Sequence, residues 1–246
     1  IAHRKKKSWG LMTPLYNWAM GKHDRQKAKL VERYTSLTES SQVLDIGCGA
    51  GTFLLKMHEL HAAGITGVDF KDLSSLPGFD LINFRHGPIS EQEFSENSFD
   101  LVTLWHYLEH DYAPKQTLEK ISRIMKDDGT LIIEVPRLDS LSYKLFKERW
   151  PGLQAPQHTI LFDKKSLLET VQKAGYIVED YLPYGAFPAY FYLFCGFAFK
   201  LLKGRGLNLS KAVYPYFAGQ LLVMPILLFE KRLNLAMQTA ICRKPQ

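Results

Sequence analysis

The sequence predicts an α/β protein whose central sheet is mostly parallel and is covered by helices on both faces. Short apolar runs typical of buried strands alternate with segments in which apolar residues recur every three or four positions. A glycine-rich turn follows the first of these runs directly. The chain has 246 residues, 46% of them hydrophobic and 23% charged, and is long enough to bury a large core. One elaborated domain is therefore expected.

The N-terminal segment, residues 1–41, combines charge with large apolar side chains. A basic run, His-Arg-Lys-Lys-Lys, occupies residues 3–7, and Trp9, Leu11 and Trp18 follow it. This pattern is typical of a cap helix behind a solvated tail, and equally of a helix lying at an anionic membrane surface. Both interpretations stay open at this point.

The first regular unit begins at residue 42 and has a strand–helix–strand pattern. The run 43–46 predicts a buried strand, and the run 65–69 predicts a second one. Between them, Phe53, Leu54 and Met57 lie on one face of a helix predicted over residues 50–61. This is a βαβ unit, which requires a parallel sheet.

The same rhythm continues to residue 183 and completes a predicted core of residues 42–183. Further strands are expected at residues 81–85, 99–105, 131–135 and 176–182. A helix over residues 116–125 would bury Leu118 and Ile121. Another is expected to begin after Asp163, a suitable N-cap, and to end at Gly175.

Residues 184–235 interrupt this rhythm as an apolar insertion before a final strand in residues 236–246. Two apolar blocks, 186–199 and 213–229, are joined by a basic loop. An insertion at the carboxyl end of a parallel strand emerges on the side of the sheet that carries ligands, so a helical lid is expected. Aromatic and aliphatic side chains such as Tyr190, Phe194 and Leu222 further predict contact with a membrane surface. A packed cap or a homodimer interface formed by this insertion is the alternative.

Composition and charge indicate a cellular compartment but do not identify a binding partner. Cys48, Cys195 and Cys242 are too few for a disulfide framework, which suggests a reducing, cytoplasmic compartment. No secretory signal or long uninterrupted apolar segment is evident, which argues against a secreted or polytopic membrane protein. The net charge of +6 permits nucleic acid, an anionic membrane or acidic metabolites as partners.

The glycine-rich turn is the strongest local signal. In residues 43–52, Val-Leu-Asp-Ile-Gly-Cys-Gly-Ala-Gly-Thr, glycines at alternate positions let the backbone approach a ligand at the start of a helix. A dinucleotide fingerprint, G-x-G-x-x-G, would need glycine at position 52, which is Thr52. Nicotinamide and flavin dinucleotides are therefore disfavoured.

Over residues 42–183 and the final strand, the sequence resembles the class I S-adenosylmethionine-dependent methyltransferases. The family's acidic-x-Gly-x-Gly-x-Gly pattern is matched from Asp45 to Gly51, and its acidic residue after the second strand is matched by Asp69. Residues 97–102, 108–110 and 124–131 match three further blocks of the family in order. The resemblance implies a Rossmann-like seven-stranded sheet with a hydrophobic helical insertion between the last two strands. Residues 150–162 are most similar to a bacterial subgroup near the ubiquinone-biosynthesis and glycan-modifying methyltransferases.

The resemblance implies S-adenosyl-L-methionine as cofactor and assigns its site. Asp69 would hold the ribose hydroxyls, since a carboxylate accepts both hydrogens, and Phe70 would line the adenine. The glycine turn would face the methionine portion. The predicted cofactor-binding residues are Asp45, Gly47, Cys48, Gly49, Gly51, Asp69, Phe70 and Trp105.

The segment after the fourth strand supplies the candidate catalytic residues. His106 and His110 are predicted as general bases, because histidine near its free pKa can take a proton from an acceptor hydroxyl. A loop-anchoring role is the alternative for His110 and for His158. Residues 106–110 also match the zinc-protease pattern H-x-x-E-H, but no zinc helix or third ligand is evident. A related quinone-pathway subgroup has acidic-x-x-Glu-His here and can use a divalent ion; no metal is predicted for this chain.

Together these observations predict methyl transfer to a small, hydrophobic or lipid-linked acceptor by a cytoplasmic protein that binds the inner membrane leaflet peripherally. The first alternative is nucleic-acid methylation, which the basic charge favours. Residues 104–107 lack the Asn/Asp-Pro-Pro-aromatic motif of base amino methylation, however, and no RNA-binding module is recognisable. The second alternative is a non-catalytic, membrane-docked protein that binds the cofactor.

Overall fold

The computed structural model describes residues 13–201, 216, 218–223, 225, 227, 229 and 231–245, and for residues 13–20 the backbone alone. The basic run 3–7, Trp9 and Leu11 lie outside the described residues, and so do residues 202–215, which include most of the predicted basic loop of the insertion. The strands are β1 (Gln42–Ile46), β2 (Gly64–Asp69), β3 (Asn83–His86), β4 (Phe99–Trp105), β5 (Met125–Pro136), β6 (Ile177–Leu182) and β7 (Met237–Arg243). The α-helices are α1 (Thr13–Tyr34), α2 (Thr52–His61), α3 (Pro114–Ile124), α4 (Leu141–Phe146), α5 (Lys164–Lys173) and α6 (Ala189–Leu201).

The strands form one seven-stranded sheet in the order β3-β2-β1-β4-β5-β7-β6. Strands β1 to β5 pair in parallel, whereas β7 is antiparallel to both of its neighbours, β5 and β6. The predicted fold class is confirmed, including the parallel direction of β6. The carboxyl ends of β1, β2 and β4 are adjacent at one edge, and the chain order reverses beside β1, which is where open α/β sheets bind ligands.

Alternating side chains of the strands build a core on each face of the sheet. Leu44 and Ile46 are fully buried in the core under α3 and α5, whereas Val43, the residue before Leu44, is buried on the opposite face under α1 and α2. This alternation follows from the two-residue period of a strand. The second half of α1 joins the latter core through Ala28 and Val31.

The predicted N-cap Asp163 and the predicted terminating residue Gly175 are confirmed at α5. The Asp163 carboxylate accepts a hydrogen bond from the Ser166 backbone amide at 2.7 Å, and the two residues form a capping box. Gly175 follows the helix with a φ of 90°, a conformation that favours glycine.

Two predicted strand boundaries were wrong. Leu81 lies in a 3₁₀ turn, Phe79–Leu81, so that β3 begins at Asn83. Strand β5 begins at Met125 instead of residue 131, because Met125 pairs with Phe99 before a register shift in the β4–β5 pair. Pairing between strands, which the sequence pattern does not show, sets both boundaries.

Between β6 and β7 the insertion carries α6, and helical backbone recurs among residues 216–227 that the structure describes. Helix α6 packs on α4 in a third apolar cluster that includes Phe146, Trp150 and Tyr192. Tyr190 is only 4% exposed, so its predicted contact with a membrane surface is wrong, whereas Leu222 is 82% exposed. Among the described residues, the structure has no helix that is both long enough and apolar enough to cross a bilayer.

Candidate active site

The glycine-rich turn connects β1 to α2 in a conformation that requires glycine. Gly47, Gly49 and Gly51 have φ values of 77°, 54° and 70°. A Cβ atom on Gly51 would lie 2.5 Å from Ile82 Cδ1, and one on Gly47 would lie 2.9 Å from Tyr107 Cδ2. At its glycines, the turn therefore presents backbone atoms without side chains at the edge of the sheet.

Asp69 lies at the end of β2 and is joined to this turn. Its Oδ2 accepts a hydrogen bond from the Gly49 amide and its Oδ1 accepts one from the Lys71 amide, both at 2.9 Å. Each carboxylate oxygen can accept a second hydrogen bond, and the side chain is only half-buried. The geometry leaves Asp69 able to receive two further donors, as the resemblance implies.

Two aromatic rings flank Asp69. Phe70 is 55% exposed, and its ring is almost parallel to that of Tyr107, with 10° between the planes and 6.2 Å between the centroids. An exposed flat ring beside a half-buried carboxylate is the kind of surface that suits a planar heterocycle. Tyr107 was not predicted as a site residue, although its position two residues after the fourth strand and its aromatic character were visible in the sequence.

Asp45, the acidic residue of the glycine motif, is buried at the end of β1. It is 3% exposed, and it accepts a hydrogen bond of 2.7 Å from the Thr103 hydroxyl. Burial raises the pKa of Asp45 to about 7, although the positive charge of Lys27 lowers it in part. A cationic ligand group near this carboxylate would favour its charged form.

Trp105 and Lys27 form the adjoining wall. The Lys27 ammonium lies 4.9 Å from the centroid of Trp105 and 5.6 Å from that of Phe53, a cation–π arrangement. The Trp105 indole is 5% exposed, and its Nε1 has no hydrogen-bond partner among the described residues. Lys27 lies on α1, outside the motifs that the sequence analysis used.

Cys48 lies inside the turn with its thiol buried. Burial is the main cause that raises the pKa of Cys48 well above its ordinary value. A Cβ atom on Gly67 would lie 2.8 Å from the Cys48 sulfur, so this thiol packs against β2. Cys48 is suited to shaping the turn and not to nucleophilic chemistry.

His106, directly after β4, is held between two buried carboxylates. Its φ of 56° is uncommon for a residue with a side chain, and its amide donates to the Glu134 carbonyl at 2.9 Å. The ring nitrogens lie 3.2 Å from Glu134 Oε1 and 3.6 Å from Glu109 Oε1. Burial alone would lower the pKa of His106, but the two carboxylates outweigh it and raise the pKa to about 9.

Glu134 connects His106 to the start of the insertion. Its fully buried carboxylate accepts hydrogen bonds from the Ala186 and Phe187 amides, at 2.6 and 3.1 Å. Burial tends to raise the pKa of Glu134, but His106 and these donors lower it below its ordinary value. The sequence analysis missed this residue, although a lone acidic residue in the predicted apolar strand 131–135 was a usable signal.

Phe187 forms the wall of the site opposite the sheet. Its ring lies edge-on to that of His106, with 5.0 Å between centroids, and edge-on to that of His23, with 5.5 Å. Burial is the main cause that lowers the pKa of His23 to about 4, so that this histidine is neutral. The site is thus lined by α1, the edge of the sheet and the insertion.

A second group of side chains surrounds the 3₁₀ turn Leu108–His110. Glu109 is 1% exposed, and His110 and His158 lie beside it, with a ligand atom from each of the three within 4.8 Å of the others. The two imidazole rings are 4.7 Å apart. The structure therefore places His158 beside the predicted residue His110 and the buried Glu109.

Comparisons with known proteins agree with this geometry. Residues 20–181 match a family model described as a methyltransferase domain. A tRNA U34 carboxymethyltransferase of Desulfotalea psychrophila is 27% identical over 169 residues, which cover 63% of this chain and 51% of that protein. A demethylmenaquinone methyltransferase of Lactococcus lactis is 26% identical over 195 residues, which cover 66% of this chain and 76% of that protein.

A solved structure shares the fold. Phosphoethanolamine N-methyltransferase 2 of Haemonchus contortus, in complex with S-adenosyl-L-methionine, superposes with a TM-score of 0.60 at 18% identity. The match covers 91% of this chain and 53% of that one. The chain thus spans about half the length of this enzyme and of the tRNA-modifying relative.

Proposed function

The chain belongs to the class I S-adenosylmethionine-dependent methyltransferases, and we propose that it transfers the methyl group of this cofactor to a small, hydrophobic acceptor. When bound, the cofactor supplies an electrophilic methyl group on a sulfonium. The chain's own residues bind and orient the reactants and exclude water. The observation that carries the acceptor class is the Phe187 ring, which closes the site over His106 with an apolar surface.

The residues present fit the cofactor. Asp69 has acceptor capacity for the two ribose hydroxyls, and the glycine-rich turn lies beside it, joined to it through the Gly49 amide. Phe70 and Tyr107 would contact the adenine. The remaining predicted residues, Asp45, Cys48, Gly49 and Trp105, would shape the methionine end of the site.

The ammonium group of the cofactor's methionine portion would pair with the Asp45 carboxylate. That carboxylate is buried and accepts a hydrogen bond from Thr103, and burial raises its pKa because it disfavours the charged form. An ammonium group beside it would favour the charged form. Lys27, on the same wall, has the opposite charge and suits the methionine carboxylate.

His106 is proposed to lie beside the transferring methyl group and to act in turnover. His106→Ala should lower the rate about 100-fold or more and leave cofactor affinity near normal, because the ring contacts the acceptor side of the site. His58→Ala is the control, since it removes an imidazole on α2 whose Nδ1 lies 2.9 Å from the Ala63 carbonyl oxygen. A His106→Ala enzyme with full activity would return this residue to a structural role. His110 remains a predicted catalytic residue.

The hydrophobic acceptor class is supported by a relative as well as by the site. The Lactococcus lactis relative is a demethylmenaquinone methyltransferase, and this chain aligns with three quarters of it. Aromatic side chains of the insertion, Phe187, Phe191 and Tyr192, pack edge-on against one another beside the site. An apolar acceptor would bury its surface against them.

The insertion is also proposed to lie on an anionic membrane surface, from which such an acceptor would enter. Cationic Lys200, Lys231 and Arg232 are exposed close in sequence to large exposed apolar side chains. Among the described residues of the insertion, the large exposed apolar side chains are Phe197, Leu201, Leu221, Leu222 and Phe229, which are 49, 80, 70, 82 and 54% exposed.

Sedimentation with vesicles tests this membrane proposal. The wild type should sediment with vesicles containing anionic lipid, and a variant with Leu201, Leu221 and Leu222 changed to serine should not. Leu81→Ser is the control, because Leu81 is 55% exposed outside the insertion. A wild type that stays in the supernatant refutes the membrane proposal. A serine variant that instead dissociates a dimer in size-exclusion chromatography would favour the homodimer interface.

A second candidate function is methylation of RNA, favoured by the similarity to a tRNA U34 carboxymethyltransferase and by the net charge of +6. One experiment separates the two. The protein is incubated with isotope-labelled cofactor and with lipid extract, polar extract or tRNA, and the products are identified by mass spectrometry. Label in an apolar small molecule is expected. Label in tRNA, with salt-sensitive tRNA binding, would overturn the small-acceptor proposal.

A further inference from the structure

Helices α4 and α6 expose large apolar side chains in pairs. Leu141 and Leu145 of α4 are 46% and 49% exposed, and their spacing of four residues places them on the same face of the helix. Phe197 and Leu201 of α6 have the same spacing and are also exposed. These four side chains define the α4–α6 surface. Because α4 lies between β5 and α5, this surface extends from the insertion onto the core.

The two helices pack closely enough to make this a continuous surface. A Cβ atom on Gly196 of α6 would lie 2.3 Å from Cδ2 of Phe146 on α4. The rings of Phe146 and Phe197 meet edge to face, with 5.0 Å between their centroids. Leu145 and Lys200, one from each side of this contact, line the same cleft.

That cleft has a volume of about 220 Å³ and is cationic. Its lining residues are Leu145, Phe146, Lys147, Glu148, Arg149 and Lys200. Lys147 lies 5.9 Å from the centroid of the Tyr143 ring, and none of the three cations forms an ion pair with a carboxylate of the described residues. Since a water molecule occupies about 30 Å³, the cleft has room for a phosphate group.

A second cleft, at the start of α5, is different in its charge balance. Its charged lining residues are Arg137, Lys164, Lys165, Asp139, Asp163 and Glu169. There Arg137 pairs with Asp139, and Lys165 pairs with Glu169. The chain thus compensates the cations of this second cleft itself, whereas the cleft beside the α4–α6 surface keeps an excess of positive charge.

We propose that the α4–α6 surface lies on an anionic bilayer, with a lipid phosphate in the cationic cleft and the exposed apolar side chains among the acyl chains. The proposal rests on the membrane association proposed for the insertion, and it adds a headgroup site on the core. Arg149, Lys147 and Lys200 suit this ligand because Arg and Lys donate charge-assisted hydrogen bonds to phosphate oxygens. RNA offers the same phosphates, but the aliphatic side chains beside the cleft gain free energy only by leaving water for an apolar medium. A bilayer is therefore favoured over RNA.

Sedimentation of the full chain with vesicles tests the cleft. In vesicles of equal parts phosphatidylglycerol and phosphatidylcholine, the double variant Lys147→Gln/Arg149→Gln should partition about thirtyfold more weakly than the wild type, since each basic residue near an anionic membrane contributes about fivefold. With pure phosphatidylcholine the two proteins should partition alike. Leu145→Ser should weaken partition into both kinds of vesicle. All three replaced residues are exposed, so thermal unfolding should be unchanged.

The matched control is Lys164→Gln/Lys165→Gln, which removes the same charge from exposed residues of the second cleft and should partition as the wild type does. Wild-type partition of the Lys147/Arg149 variant or of Leu145→Ser would overturn the α4–α6 proposal and leave the membrane proposal for the insertion standing. An equal loss in the control would assign the effect to net charge and overturn it as well. A wild type that does not sediment would overturn both proposals. Loss of tRNA binding, without loss of vesicle binding, in the Lys147/Arg149 variant would assign the cleft to RNA instead.

Discussion

Replacing Asp45 with Asn is expected to stabilise the cofactor-free protein and to weaken cofactor binding at the same time. Asp45 is buried at the end of β1, and its burial raises its pKa from an ordinary 3.8 to about 7. Above pH 7 the folded protein therefore holds a buried negative charge at a cost in stability. Asn keeps the shape and can still accept the hydrogen bond from Thr103.

The expected change in the free energy of unfolding follows from the difference between the pKa of Asp45 in the folded protein and its pKa in the unfolded chain. The folded pKa lies above the unfolded one, so between about pH 4 and pH 7 the native state holds a proton that the unfolded chain has released. The free energy of unfolding consequently falls as pH rises through this range and is level above it. A pKa difference of about three corresponds to at most about 4 kcal/mol, at about 1.4 kcal/mol for each pKa unit.

Denaturant unfolding between pH 4 and 8, without cofactor, measures this effect. The wild type should lose stability toward pH 8 relative to Asp45→Asn, and the variant should be the more stable protein at pH 8. Calorimetry should show the opposite order for the cofactor, with affinity lowered by about 1.5–3 kcal/mol because the methionine ammonium loses a charged acceptor. The exposed residue Asp80, changed to Asn, serves as control. Parallel stability curves for Asp45→Asn and the wild type would refute the reasoning.

Three further substitutions test other parts of the site. Gly51→Ala should lower stability by more than about 1 kcal/mol in thermal denaturation, because φ is 70° and the new Cβ would meet Ile82; unchanged stability would contradict this geometry. Asp69→Ala should weaken cofactor binding by about 1.5–3 kcal/mol in calorimetry, whereas Asp72→Ala, an exposed control, should leave it unchanged; equal affinities would remove Asp69 from the site. Glu134→Gln should destabilise the protein by about 1–3 kcal/mol in urea unfolding, because it replaces a carboxylate that accepts hydrogen bonds from two backbone amides and faces His106. An unchanged free energy of unfolding would contradict this structural role.

The fold and the position of the glycine-rich turn beside Asp69 could be predicted because their signals are local. The turn from Gly47 to Gly51 connects consecutive elements, and its positive φ angles are a property of glycine itself. Asp163 caps the helix that begins at the next residue by accepting from the Ser166 amide, and Asp69 ends a strand that its own apolar pattern marks. Alternating strand and helix periods were sufficient for the parallel core.

The arrangement of side chains around His106 was decided by tertiary structure alone. His106 acquires its charge state from Glu134 on β5, and Phe187 of the insertion closes over it. Likewise, His158 reaches Glu109 only because a loop before α5 folds back on the turn after β4. Sequence periodicity reports which face of an element is buried. It does not report which distant side chains meet there, because burial and charge coupling depend on packing between elements that are far apart in the chain.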